Sequence, residues 1–187
     1  MRIDAQRNRE RVLDAARTLI SAQGTGVGMD EIARAAGVAV GTLYRHFPTK
    51  TDLVEAVVES SIRQLADETE GALEAVRAGA DLADTFRQVV HTVAARHSQD
   101  RALKDAARGI GVLVPAADGS GPQTPEMERA LGAIVALVDQ AMAAGIVRTD
   151  TTVTDMVVLL DGVPGPELGA AQRERYLDVV LRGLMTG

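Results

Sequence analysis

Between Val40 and Lys50 the chain reads Val-Gly-Thr-Leu-Tyr-Arg-His-Phe-Pro-Thr-Lys, which places two small residues, a phenol, a guanidinium, an imidazole and an ammonium within a few helical turns. Helical spacing assigns Val40, Leu43 and Phe47 to a packing face. Gly41, Thr42, Arg45 and His46 then point outward, with Tyr44 at the border and Lys50 just past the turn. Short side chains near a helix N-terminus permit close approach to base edges in a major groove, and donors at the flanks suit phosphates. Gly41 and Thr42 meet the first need. Arg45 can reach a guanine edge or a phosphate, and Tyr44, His46 and Lys50 can donate to phosphate oxygens. Lys50 also opens the following helix, whose unpaired N–H groups favour an anion. The chemistry these residues could do is recognition of a duplex.

Other chemistries lack their residues. The chain has no cysteine, so disulfides, cysteine-ligated metals and a thiol nucleophile are excluded. Besides His46, the histidines are His91 and His97. Six positions on one helix set them about 120° apart, too far round to share a metal as an i, i+4 pair would. No Glu-x-x-His occurs, which argues against a di-iron carboxylate bundle. Gly24-Thr25-Gly26-Val27-Gly28 could be mistaken for a phosphate cradle, but Met29 stands where a dinucleotide fingerprint needs its third glycine and no strand precedes it. With no nucleophile–base set, no metal spacing and no cofactor loop, the expectation is no catalytic residue, no enzymatic activity, no cofactor and no metal.

The elements that must position the 40–50 segment are legible as periodicity. Val12, Ala16, Leu19 and Ile20 form one helical stripe, ended by the glycine run at 24–28. Met29, Ile32, Ala33 and Ala36 follow at i, i+3, i+4 and i+7, with Gly37 where a left-handed helix end belongs. After Gly37-Val38-Ala39 the spacing restarts and runs until Pro48 stops it. Two short helices joined by a tight glycine turn predict a helix-turn-helix.

Beyond it, Thr49-Lys50-Thr51-Asp52 has the form of a capping box opening a long helix that carries Val54, Val57, Val58, Ser61 and Leu65 on one face. Leu82 to Val93 predicts the next segment, and Leu103, Ala107 and Ile110 a shorter separate one. Pro115 to Gln123 is a loop by composition. Thr124-Pro125-Glu126 starts another helix, Thr152 to Asp155 a further one broken by Asp161 to Pro166, and Leu177 to Leu184 mark the last. The sum is an all-α fold of about nine helices with no convincing strand. Aromatics at 2% against 46% hydrophobic residues agree, because alanine favours helices while sheets prefer aromatic and β-branched side chains.

Charge is distributed unevenly along the 187 residues, whose net charge is −6. Residues 1–50 hold eight basic side chains against five acidic ones, and the rest of the chain twelve against twenty-one. A basic working surface on an acidic body is the expectation. The N-terminus lacks the apolar run of a secretory signal, and no stretch approaches the roughly 18 apolar residues of a spanning helix, so a soluble cytoplasmic protein with no membrane partner is expected.

The residues Asp30-Glu31-Ile32-Ala33-Arg34-Ala35-Ala36-Gly37-Val38-Ala39-Val40-Gly41-Thr42-Leu43-Tyr44-Arg45-His46-Phe47-Pro48-Thr49-Lys50 resemble the DNA-binding signature of the TetR family of bacterial repressors. Ile-Ala, Ala-Gly-Val, Gly-Thr-Leu-Tyr and Phe-Pro-x-Lys stand in order and spacing. The resemblance implies an N-terminal three-helix DNA-binding domain, residues 1–48, and a helical ligand-binding and dimerisation domain, residues 49–187. It implies a homodimer on double-stranded, palindromic operator DNA, released by a small-molecule effector. It also implies that Gly41, Thr42, Tyr44, His46 and Lys50 contact the operator. Two positions depart from the pattern: Gly28 and Ala39 stand where a hydroxyl would cap the second helix and begin the recognition helix.

In the body, Phe86, Val90, His91, Met127, Leu131 and Met142 are candidates to line an effector pocket, which bundle interiors commonly house. Their aliphatic and methionine character suggests an apolar or amphipathic effector. The resemblance implies that the last two helices form a four-helix interface with their twins, and Leu177, Val180, Leu181 and Leu184 need such a cover. An alternative expectation is a helical ligand-binding or scaffolding protein whose helix-turn-helix no longer binds DNA.

Overall fold

The computed structural model describes residues 2–114, 123–164 and 169–186, with the side chains of 2–4, 97–101 and 161 outside the description. Of the loop expected at 115–123, all but Gln123 lies outside the described residues, as do Gly165 and Pro166 of the expected break. Among the described residues there are eight α-helices and one short 3-10 turn. They are α1 (Arg2–Gln23), the 3-10 turn (Gly24–Gly26), α2 (Met29–Ala36), α3 (Val40–His46), α4 (Lys50–Arg77), α5 (Leu82–Gly109), α6 (Pro125–Ala143), α7 (Val153–Asp161) and α8 (Ala170–Leu184). The fold is all-α, and the β-type pairing seen is a single antiparallel bridge, Val147 to Met185.

The count of helical elements matches the expectation, but its composition differs. The separate helix expected at 103–110 is the continuation of α5, which runs unbroken from Leu82 to Gly109. The stretch between Val93 and Leu103 is polar and carries no apolar stripe, but it holds neither glycine nor proline, so backbone hydrogen bonding continues through it. In the same way α1 begins ten residues before Val12, the first residue of the stripe read from the sequence.

Caps follow the local chemistry. Thr49 and Asp52 form the reciprocal pair of a capping box, the Thr49 amide donating to Asp52 Oδ2 at 2.8 Å and the Asp52 amide to Thr49 Oγ1 at 3.1 Å. Thr152 and Asp155 repeat it at the start of α7. Thr124 accepts from the Met127 amide at 3.2 Å, with Pro125 at the first helical position.

The chain divides into two compact units, Met1–Ser61 with Asp100–Val114, and Ile62–Gln99 with Pro115–Gly187. In the first, α1 packs on α2 and α3, burying Val12, Ala16 and Ile20 with Ile32, Ala33 and Leu43. In the second, Phe86, Val90, Leu137, Val138, Ala141, Met156, Val180, Leu181 and Leu184 form one core. Ala94, Val163 and Leu177 form a smaller cluster. No helix among the described residues is long and apolar enough to cross a membrane.

Candidate nucleic-acid interface

The turn between α2 and α3 is set by Gly37, whose φ of 64° is left-handed and natural only to a residue without Cβ. The amide of Val38 donates back to Ala33 O at 3.0 Å, satisfying a carbonyl at the end of α2. From α1, Arg11 Nη2 donates to Gly37 O at 3.1 Å, fixing the turn from outside. Neither Gly28 nor Ala39 supplies a side-chain cap, so α2 and α3 start on backbone contacts alone.

On α3, Leu43 is fully buried and Phe47, just past its end, is 3% exposed. The guanidinium of Arg9 lies over the Phe47 ring, 5.4 Å from its centroid. Gly41, Tyr44 and Arg45 are exposed, and Thr42 and His46 are half-buried. Val40, assigned from spacing to the packing face, is instead 40% exposed, close to the 45% of Tyr44. At roughly 100° per residue Val40 sits on the border, about 20° from Phe47 and 40° from Tyr44, and the exposed arc Val40–Tyr44–Gly41–Arg45 spans about 140°; packing of α1 and α2 on α3 leaves it on the outer side. The outward face is centred between Tyr44 and Gly41, rotated toward Val40 from the expected face of Gly41, Thr42, Arg45 and His46.

Lys50 is half-buried, and its ammonium donates to the carbonyls of Thr25 and Val27, across the turn that joins α1 to α2. An ammonium has three N–H donors, so one is left after these two bonds. Sequence reasoning missed this structural bond, because nothing in the spacing brings residue 50 to residues 25 and 27.

The residues expected in an effector pocket lie on α5 and α6. Phe86 and Val90 are buried in the main core of the second unit, with Met142 partly buried against it. Met127 is buried, and Leu131 and His91 are half-buried. An open groove of about 530 Å³ lies elsewhere, lined by Arg148, Asp150, Asp155, Leu159, Tyr176, Val179 and Gly183 among others. Tyr176 Oη donates to Leu159 O at 2.7 Å at its edge. Hydrogen bonds from Arg148 hold the Asp150 carboxyl below its ordinary range, and bonds from Thr152 do the same for Asp155.

The four residues expected at a dimer interface are placed differently from that expectation. Leu177, Val180, Leu181 and Leu184 are nearly buried by this chain's own helices, three in the main core and Leu177 against Ala94 and Val163. The sequence established that these side chains needed a cover, and the structure supplies it from within the subunit. The large apolar side chains that α7 and α8 leave exposed, among the described residues, are Val158 at 64% and Val179 at 70%.

Two arginine clamps bind α4 to its neighbours in the second unit. Arg129 on α6 donates to Asp67 at 2.9 Å and to Glu70 at 3.0 and 2.5 Å. Its hydrogen bonds hold the Glu70 carboxyl below the usual glutamate range. Arg96 on α5 pairs with Glu68, its Nε donating at 2.8 Å, and reaches Gln64 at 3.3 Å.

A long first helix followed by two short ones joined at a glycine elbow, the last with exposed small residues, ahead of a further run of helices, defines the class: an all-helical protein with an N-terminal helix-turn-helix. The family model for bacterial regulatory proteins, tetR family, matches residues 12–57, and that for the C-terminal domain of SbtR-like transcriptional regulators matches residues 79–186. The chain belongs to the TetR family of bacterial regulatory proteins. It is 34% identical to a TetR transcriptional regulator from Streptomyces coelicolor, covering 96% of this chain and 99% of that one, with a TM-score of 0.76. A TetR transcription regulatory protein from Mycobacterium vanbaalenii is also 34% identical, over 99% of each chain, with a TM-score of 0.70. An HTH-type transcriptional regulator of Staphylococcus aureus is 32% identical over 95 residues, 46% of this chain and 51% of that protein. The match thus spans about half the length of the curated relatives.

Proposed function

We propose that this chain is a sequence-specific DNA-binding transcriptional regulator, a repressor that binds a palindromic operator as a homodimer and is released by a small-molecule effector. The observation that carries the reading is the outward arc of α3. A glycine inside a helix costs about 0.5–1 kcal/mol relative to alanine, yet a Cβ at Gly41 would meet nothing within 4 Å in this chain. Nothing in the chain's own packing calls for glycine there, and its place on the exposed arc beside Tyr44 and Arg45 leaves room for close approach of a duplex. Arg45 beside it, with Thr42, Tyr44, His46 and the third N–H of Lys50, supplies donors to base edges and phosphates.

In this reading residues 1–48 form the DNA-binding domain and residues 49–187 the ligand-binding and dimerisation domain. Two copies would present α3 helices roughly 34–36 Å apart, one turn of DNA. The exposed Val158 and Val179, with the groove that Val179 lines, would form the seam between copies. Effector binding among Phe86, Val90, His91, Met127, Leu131 and Met142 would favour a spacing of the heads that no longer fits successive grooves, with a coupling of about 1–3 kcal/mol. Relatives that are transcriptional regulators support the reading.

The test is selection of bound duplexes from a random pool, repeated with apolar and amphipathic small molecules. An enriched inverted repeat, lost on addition of one compound, is the expected result. No enrichment at modest ionic strength overturns it. A second reading, a helical ligand-binding or scaffolding protein that has lost DNA binding, draws on the bare caps at Gly28 and Ala39. It predicts compound binding without any enriched duplex.

A further inference from the structure

The exposed N-terminal end of α3 holds an apolar residue that no fold requirement explains. Ala39, Val40 and Gly41 are all exposed, and none carries a side-chain hydrogen-bonding group. Val40 is 40% exposed although its neighbours on the wheel, Leu43 and Phe47, are buried. Reading helices of this class contact base edges with their N-terminal residues. The major groove offers donors, acceptors and one apolar feature, the C5-methyl of thymine. A surface with no donor or acceptor can select only that feature.

We infer that Val40 is a specificity-determining residue that reads a thymine methyl in each half-site, a proposal that rests on the duplex-binding reading above. Gly41 next to it keeps the ridge low, so the isopropyl group is the first side chain to reach the groove floor. Tyr44, one turn on and on the same arc, bounds the contact on its other side.

The experiment uses the full-length protein and the duplex enriched from the random pool. Each thymine is replaced singly by deoxyuridine, which removes the methyl and nothing else, and Kd is measured at one ionic strength for the wild type and for Val40→Ala. At one thymine per half-site the wild type is expected to lose about four-fold per methyl removed. Val40→Ala, which alters both half-sites of the homodimer, should show the combined loss of about sixteen-fold already on the thymine duplex and no further loss on the deoxyuridine duplex. Val40→Thr, which keeps one methyl, should fall between.

A second probe places 5-methylcytosine against cytosine at the same position, where the wild type should prefer the methylated base and Val40→Ala should not. A wild type indifferent to every deoxyuridine, or a Val40→Ala variant as sensitive as the wild type throughout, overturns the assignment of Val40 while leaving duplex binding intact. If no duplex is enriched at all, the underlying reading fails and this proposal with it.

Discussion

Arg11 and Gly37, 26 positions apart, are joined by a hydrogen bond of 3.1 Å from the guanidinium to the glycine carbonyl, and this bond holds the elbow between α2 and α3 against α1. A Cβ added at Gly37 would strike that guanidinium, and the φ of 64° is strained for any other residue. Gly37→Ala should therefore destabilise by about 1–2 kcal/mol from the backbone alone. For a chain of this size the melting temperature should fall by about 2–8 °C. Arg11→Ala, which leaves the backbone unstrained, should fall less; an unchanged melting curve for Gly37→Ala would contradict the account of the elbow.

Gly41 poses the opposite case. Since its Cβ site is open space, Gly41→Ala should fold and gain up to about 0.5–1 kcal/mol, read from thermal or urea unfolding. Affinity for the selected duplex should drop in the same variant. A gain in both would show that the missing side chain serves no approach.

Lys50 and Thr42 divide the work between affinity and selectivity. Lys50→Ala should weaken binding to cognate and random duplexes alike and reduce the slope of log K against log salt by about 1 per subunit. It should also lower the melting temperature, because the carbonyls of Thr25 and Val27 lose their donor. Thr42→Ala should shift base preference more than Lys50→Ala does. Equal losses on both kinds of DNA for both variants would refute this division.

The clamp of Arg129 on Asp67 and Glu70 has a defined pH dependence. Glu70 is held below its ordinary pKa, so its contribution is present above the normal glutamate range and is lost as pH falls through the lowered value. The melting-temperature difference between wild type and Arg129→Met should be open at neutral pH and narrow as pH falls below the ordinary glutamate range. A difference that stays constant with pH would mean that Arg129 acts by packing alone.

Val179, exposed on α8 beside the groove, provides a test of the proposed seam. Val179→Glu should keep its helical circular dichroism and sediment as a monomer. Leu181→Glu, which puts a charge into the core, should lose stability instead. A Val179→Glu variant that remains dimeric would move the seam elsewhere.

The short-range features of this molecule were legible in its residues. The left-handed Gly37, the hydroxyl-to-carboxylate caps at Thr49 and Thr152, the stop at Pro48 and the burial of Leu43 each depend on a few neighbouring positions, so spacing alone determines them. The helix-turn-helix and its small-residue ridge followed from the same local rules. What only the tertiary structure decided were relationships between distant segments. Val40 turned outward because α1 and α2 cover one particular arc of α3, which no periodicity within seven residues specifies. Lys50 reached the turn at Thr25 and Val27, and Leu177, Val180, Leu181 and Leu184 found their cover in helices of their own chain. A hydrophobic stripe states that a face must be buried; which partner buries it depends on how the whole chain fills its core.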